Sequence, residues 1–254
     1  MIPMSGLSNP DNPAEQIMKF ASEKVGSFKH YRPCGVSREE EEVDIGRLLN
    51  SFYYLLFLLW YMLGLKLLTD PRWANIAESN LEEILTDHAW CEQKAATNAI
   101  SLITYNSEHE DLVARMTAIA IEEMQHFQMV IEIIRERGYT LGRERKDDYV
   151  GQLMKFSKKD GSRNMAFIDR LLFAAMIEAR SCERFRVLSQ NIKDQDLARF
   201  YHDLMVSEAN HYTTFLNFAR KYSTDVDVDK RWKEWLTFEG ELIQSYGNKE
   251  LIHG

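Results

Sequence analysis

Two glutamate-histidine pairs of identical spacing, Glu123-Met124-Gln125-His126 and Glu208-Ala209-Asn210-His211, are the residues of this chain best suited to chemistry. Residues three apart leave the same face of a helix, so each pair can offer a carboxylate and an imidazole to one metal ion. One such pair arises by chance in many helices. Two, each preceded by a helix with a glutamate on its apolar face, make a far more specific pattern. Helical phase selects those glutamates. Glu92 shares a face with Leu85, His88, Ala89, Ala95, Ala96, Ala99 and Ile103, and Glu178 shares one with Leu171, Ala174, Ala175, Ser181, Cys182, Phe185 and Leu188. Glu123 falls with Met116, Ile119, Ala120, Phe127, Val130 and Ile134, whereas its neighbour Glu122 falls with Arg115, Gln125 and Met129.

Spacing gives a second argument for the same choice. Glu92 to Glu123 is 123 − 92 = 31 residues and Glu178 to Glu208 is 208 − 178 = 30, so the two helix pairs read as pseudo-repeats. Glu183 lies with Arg180, Arg186 and Gln190 and is expected to be paired at the solvent; using it instead gives 208 − 183 = 25. A rival register, aligning Cys91-Glu92 with Cys182-Glu183, favours that residue. Four carboxylates facing one bundle interior would each cost several kcal/mol if left ionised and unpaired. Two divalent cations remove that cost. Carboxylates mixed with imidazole suit iron, or manganese as the alternative, and this is the ligand set of ferritin-like di-metal carboxylate proteins. His88, one turn before Glu92, and Tyr212 are expected beside the ligands; Tyr201 reads as a packing residue, and Cys91 and Cys182 as small core fillers.

The elements that must carry these residues are helices. Gly and Pro number only 12 and 5 in 254 residues, and 45% of the chain is hydrophobic, enough for a substantial core. Asp70-Pro71 and a capping box at Ser79-Asn80-Leu81-Glu82 predict a first long helix to about Tyr105. Ser107 with Glu110 begins a second, which ends near Arg137 with Gly138 as a left-handed cap. A third is expected over about 164–191, a fourth over 195–222, and a shorter one over 228–246. Residues 139–162 are polar, basic and long enough to cross between the two helix pairs. The fold class is therefore all-α: a ferritin-like four-helix bundle with a long crossover, plus extra N- and C-terminal helices.

Residues 1–61 are expected to form an extension outside the bundle domain of 62–254. The extension is polar up to about residue 46, while residues 48–65 carry no charge and include Phe52, Leu55, Phe57 and Trp60, near the length that spans a bilayer. A membrane anchor and a buried or oligomer-forming helix are both open for it, and Met62 is a candidate natural start. The net charge of -8 gives no global attraction to nucleic acid or anionic lipid. Three scattered cysteines without a CxxC pair exclude a disulfide framework or zinc ribbon and fit a reducing cytoplasm.

The segments Leu81 to Ala96, Glu123 to His126, Ile177-Glu178-Ala179-Arg180-Ser181-Cys182-Glu183-Arg184-Phe185 and Ser207-Glu208-Ala209-Asn210-His211-Tyr212 resemble the MiaE family of non-haem di-iron tRNA hydroxylases. The resemblance runs from about Met62 to the C-terminus. It implies two irons held by Glu92, Glu123, His126, Glu178, Glu208 and His211, O2 as co-substrate and an electron donor that the chain does not identify. The implied reaction hydroxylates the isopentenyl group of a hypermodified adenosine in tRNA. Arg143, Arg145, Lys146, Lys155, Lys158, Lys159 and Arg163 are candidate phosphate contacts in the crossover, although interleaved acids make a solvated loop the competing reading. Two other functions use the same ligands: an oxidase or peroxidase of the rubrerythrin or manganese-catalase kind, and a ferritin-class iron-binding protein.

Overall fold

The computed structural model describes residues 63–146, 148–157, 161–246 and 252. The N-terminal extension, most of the uncharged stretch 48–65, Lys158 and Lys159 lie outside the described residues. Among those described, the regular elements are helices: α1 (Trp73–Ser79), α2 (Leu81–Tyr105), α3 (Glu110–Glu136), α4 (Asp148–Phe156), α5 (Arg163–Asn191), α6 (Gln195–Tyr222) and α7 (Val228–Tyr246). The long helices α2, α3, α5 and α6 form a ferritin-like four-helix bundle, in which α2 packs along α3 and α5 along α6. No described helix is long and apolar enough to cross a membrane.

The inward stripes are apolar at helical spacing, as in Leu85, Ala89, Ala96, Ala99 and Leu102 of α2 and Leu112, Met116, Ile119, Val130 and Ile134 of α3. The small residues of α2 leave room for buried polar side chains between the two helix pairs. At the end of α3, Gly138 takes φ 72°, and Tyr139 N–H donates to Ile134 O across the turn, so the expected left-handed cap forms. The expected capping box does not. Ser79 ends α1 and its hydroxyl donates to Asn75 O, while the Asn80 amide donates to Ile76 O, so both side chains serve the preceding helix. Ser107 likewise lies outside the cap of α3, whose N-cap position is His109.

The crossover is more ordered than its polarity suggests. Thr140 N–H donates to Glu82, Gly142 N–H to Thr86 Oγ1 at 3.3 Å, and Trp90 Nε1–H to Gly142 O at 3.0 Å, which fastens the segment along α2. A Cβ at Gly142 would stand 3.1 Å from the Thr86 methyl, so glycine permits the close approach. The segment then forms α4, whose buried Tyr149 and Leu153 turn it inward. Helix α7 covers α5: Arg231 makes two 2.8 Å hydrogen bonds to Asp169, and Trp235 Nε1–H donates to the same carboxylate.

Candidate metal centre

Each of the four long helices delivers one part of a buried acidic cluster at the middle of the bundle. Glu92 comes from α2, Glu123 and His126 from α3, Glu178 from α5, and Glu208 and His211 from α6, and all six are at most 6% exposed. Their ligand atoms form two overlapping groups. In one, Glu92, Glu123, His126 and Glu208 each bring an atom within 4.8 Å of the others; in the second, Glu123, Glu178, Glu208 and His211 do so. Glu123 and Glu208 belong to both groups.

The polar atoms here are left poorly satisfied by the protein alone. Glu123 Oε1, Glu208 Oε1 and His211 Nδ1 are buried with no hydrogen bond, although His211 Nδ1 stands only 2.8 Å from Glu123 Oε1. A buried acceptor without a partner is costly, so orphaned atoms of this kind gathered at one point call for a cation. The titration directions agree. Burial and the charge of Glu92 push Glu123 up, and burial with the charge of Glu208 pushes Glu178 well up. Burial opposes charging of His126, but Glu123 and Glu92 outweigh it and lift the imidazole to about 10. Protons thus collect where positive charge is lacking. Carboxylate oxygens with imidazole nitrogens fit iron or manganese in a site of this size.

Around the cluster sit residues that orient it. His88 Nε2 lies 2.6 Å from Glu92 Oε1, and its ring packs against Phe185 and Tyr201. Glu92 is held at about 2: burial raises it, and the contacts with His126 and His88 more than offset that. The Tyr212 ring packs against Trp232 of α7. Glu122 was not expected to take part. Its carboxylate lies 3.1 Å from His211 Nε2 and accepts a 2.7 Å hydrogen bond from Ser207, which leaves Nδ1 of His211 for the cluster. The contact with His211 is the main reason the Glu122 carboxyl falls to about 2. A carboxylate adjoining a candidate ligand in sequence is the signal that could have marked it, since metal-binding histidines commonly give their second nitrogen to such a group.

Glu183 does not lie at the surface. Instead of meeting solvent, it is fully buried and accepts hydrogen bonds from Arg180 at 3.1 Å, from Thr69 N–H and Oγ1, and from Arg186. It belongs to a separate network in which Arg180 also binds Glu239 and Leu67 O, and Tyr149 donates to Glu239. Cys182 is buried as expected, while Cys91 is half-buried. In the crossover, Arg143, Arg145, Lys146, Lys155 and Arg163 are exposed, but Arg145 pairs with Glu83 and Arg163 with Glu108.

Comparisons with known proteins agree with this architecture. Residues 61–254 match the family described as tRNA-(MS[2]IO[6]A)-hydroxylase (MiaE). A Pseudomonas putida protein named tRNA 2-(methylsulfanyl)-N(6)-isopentenyladenosine(37) hydroxylase is 37% identical over 185 residues, covering 73% of this chain and 89% of that protein. A Salmonella typhimurium protein of the same name is 33% identical over 142 residues, 56% of this chain and 51% of its own length, so the match spans about half of it. Among solved structures, "Protein 43 with aldehyde deformylating oxygenase activity from Synechococcus" superposes with a TM-score of 0.69 at 27% identity, over 75% of this chain and 95% of that one.

Proposed function

Because this chain belongs to the MiaE family, we propose that it hydroxylates the isopentenyl group of a hypermodified adenosine in tRNA, as its named relatives do. The observation that carries the reading is the buried cluster of four glutamates and two histidines with orphaned acceptor atoms, found within the matched residues. Glu92, Glu123, His126, Glu178, Glu208 and His211 would hold two iron ions, with Glu123 and Glu208 shared. When bound, the irons supply the O2-activating chemistry that an unreactive C–H bond demands.

The chain's own residues do the rest. The apolar walls of α2, α3, α5 and α6 exclude water, which strengthens every charge interaction within the site. His88 fixes Glu92, and Glu122 fixes the orientation of His211, so the ligands are set before the ions arrive. Exposed Arg143, Lys146 and Lys155 are the described crossover cations without an ion pair among the described residues, and they support tRNA backbone contact there. We assign the di-iron domain to 62–254 and place the enzyme in the cytoplasm, where tRNA is found. The relatives' names favour this function over an oxidase acting on small oxidants or a storage protein.

Two measurements test the reading. Iron analysis of the purified protein should find about two ions per chain, the number the overlapping groups accommodate. Mass spectrometry of tRNA nucleosides from a strain lacking the gene should show the isopentenyl adenosine without its hydroxyl; an unchanged level of the hydroxylated nucleoside overturns the proposal.

A further inference from the structure

A small cavity borders the acidic cluster, and its walls come from three elements. Lys94, Ala95 and Asn98 of α2 form one side and Phe173 and Ile177 of α5 the other, with Val150 of α4 alongside. Glu178, one of the six clustered residues, also lines it. The volume is about 70 Å³. At roughly 10–15 Å³ for each water-sized sphere, that holds about five to seven such spheres. A branched five-carbon chain has that size and the apolar character the walls require. Lys94, one of the lining residues, has its side chain 34% exposed, and its ammonium lies 3.0 Å from Glu144 of the crossover. An anion already occupies the position beside this cation, so a phosphate oxygen of the same charge can replace it.

We propose that this cavity receives the isopentenyl chain end-on toward Glu178, and that Lys94 holds a tRNA phosphate at its mouth in exchange for Glu144. The proposal rests on the hydroxylase reading and adds the route by which substrate reaches the cluster. It also separates two roles on one turn of α2: Ala95 sets the space for the chain, and Lys94 supplies sequence-independent attraction.

The test compares binding of tRNA carrying the isopentenyl group with the same tRNA lacking it, using the full chain loaded with iron. Burying most of a five-carbon chain predicts at least about a tenfold preference for the prenylated tRNA. Ala95→Phe should reduce that preference to about twofold or less while leaving affinity for unprenylated tRNA and iron content unchanged. Ile177→Phe fills the same space from the other wall and carries the test if the first variant does not fold. Lys94→Gln should instead weaken both tRNAs equally, by about threefold to tenfold, and lower the slope of log affinity against log salt by about one. A full preference and full hydroxylation in both cavity-filling variants overturn the chain's placement; unchanged binding and salt slope in Lys94→Gln overturn the phosphate contact. If the wild type neither prefers prenylated tRNA nor hydroxylates it, the hydroxylase reading itself falls, an outcome distinct from either of these.

Discussion

Helix α5 contributes a buried glutamate to each of two polar clusters, and the two clusters solve the same electrostatic problem in opposite ways. Around Glu178 the neighbours are acids and imidazoles with no arginine or lysine among them, and Glu208 Oε1 has no hydrogen-bond partner. Around Glu183 the neighbours are Arg180, Arg186 and the Thr69 hydroxyl and amide, so the carboxylate is satisfied by the protein itself. Burial is equal and the residue type is the same. What differs is whether the chain supplies the positive charge, and that difference marks one cluster for a ligand and the other for holding helices together.

The sharpest way to break the comparison is to remove each glutamate in turn. Glu178→Ala should lower bound iron from about two ions per chain to about one or less, because Glu178 serves one of the two overlapping groups. Relief of like-charge burial should leave the metal-free protein no less stable. Glu183→Ala should bind iron normally but lose about 3–5 kcal/mol of stability, since it strips a partner from the buried Arg180 guanidinium. Iron analysis and urea unfolding of the metal-free forms separate the two. Loss of iron from Glu183→Ala with retention by Glu178→Ala would reverse the roles assigned to the clusters.

Glu122 sharpens the comparison at the edge of the acidic cluster, where a half-buried carboxylate meets a fully buried histidine. Glu122→Ala should keep both ions at saturating iron but weaken their binding by about 10-fold to 100-fold, the range typical for losing the group that orients a metal-binding histidine. Competition with a chelator of known affinity measures it. An unchanged affinity would mean that packing alone fixes His211.

How far this arrangement was legible in the sequence depends on the range of the interactions involved. The six clustered residues lie on helices whose apolar faces are written at 3.6-residue spacing, and phase together with the matching 31- and 30-residue intervals favoured Glu178 and Glu123 over their neighbours. The boundaries of α5, α6 and α7 follow equally local signals, such as the Ser162 and Asp194 caps. Glu183 was misjudged because its covering groups are distant: Thr69 lies 114 residues away, and Glu239, which shares Arg180 with it, lies 59 residues from that arginine. The polar face of α5 resembles a solvated one until α7 and the segment before α1 are laid on it. Glu122 escaped for a related reason, since Ser207 and His211 reach it from α6. The capping box failed over a short range, where a single residue, Asn80, separates α1 from α2 and Ser79 belongs to the helix behind it.

A surface ion pair gives the smallest expected effect and a baseline for both clusters. Asp194 caps α6 by accepting from the backbone N–H groups of Asp196 and Leu197, and it also pairs with Arg137 at 2.6 Å. The Leu197 N–H and then Arg137 hold its carboxyl below the ordinary value of 3.8. A carboxyl depressed in this way binds fewer protons folded than unfolded, so its contribution is full at pH values above 3.8 and fades as pH falls through the lower folded value. Asp194→Ala should therefore cost about 1 kcal/mol at neutral pH, the usual worth of an N-cap. The gap between variant and parent should narrow below about pH 3.8 in urea unfolding. Iron content should not change. A gap that persists undiminished in acid would show that the cap acts through packing, leaving the loss expected of Glu183→Ala without a charge-based reference.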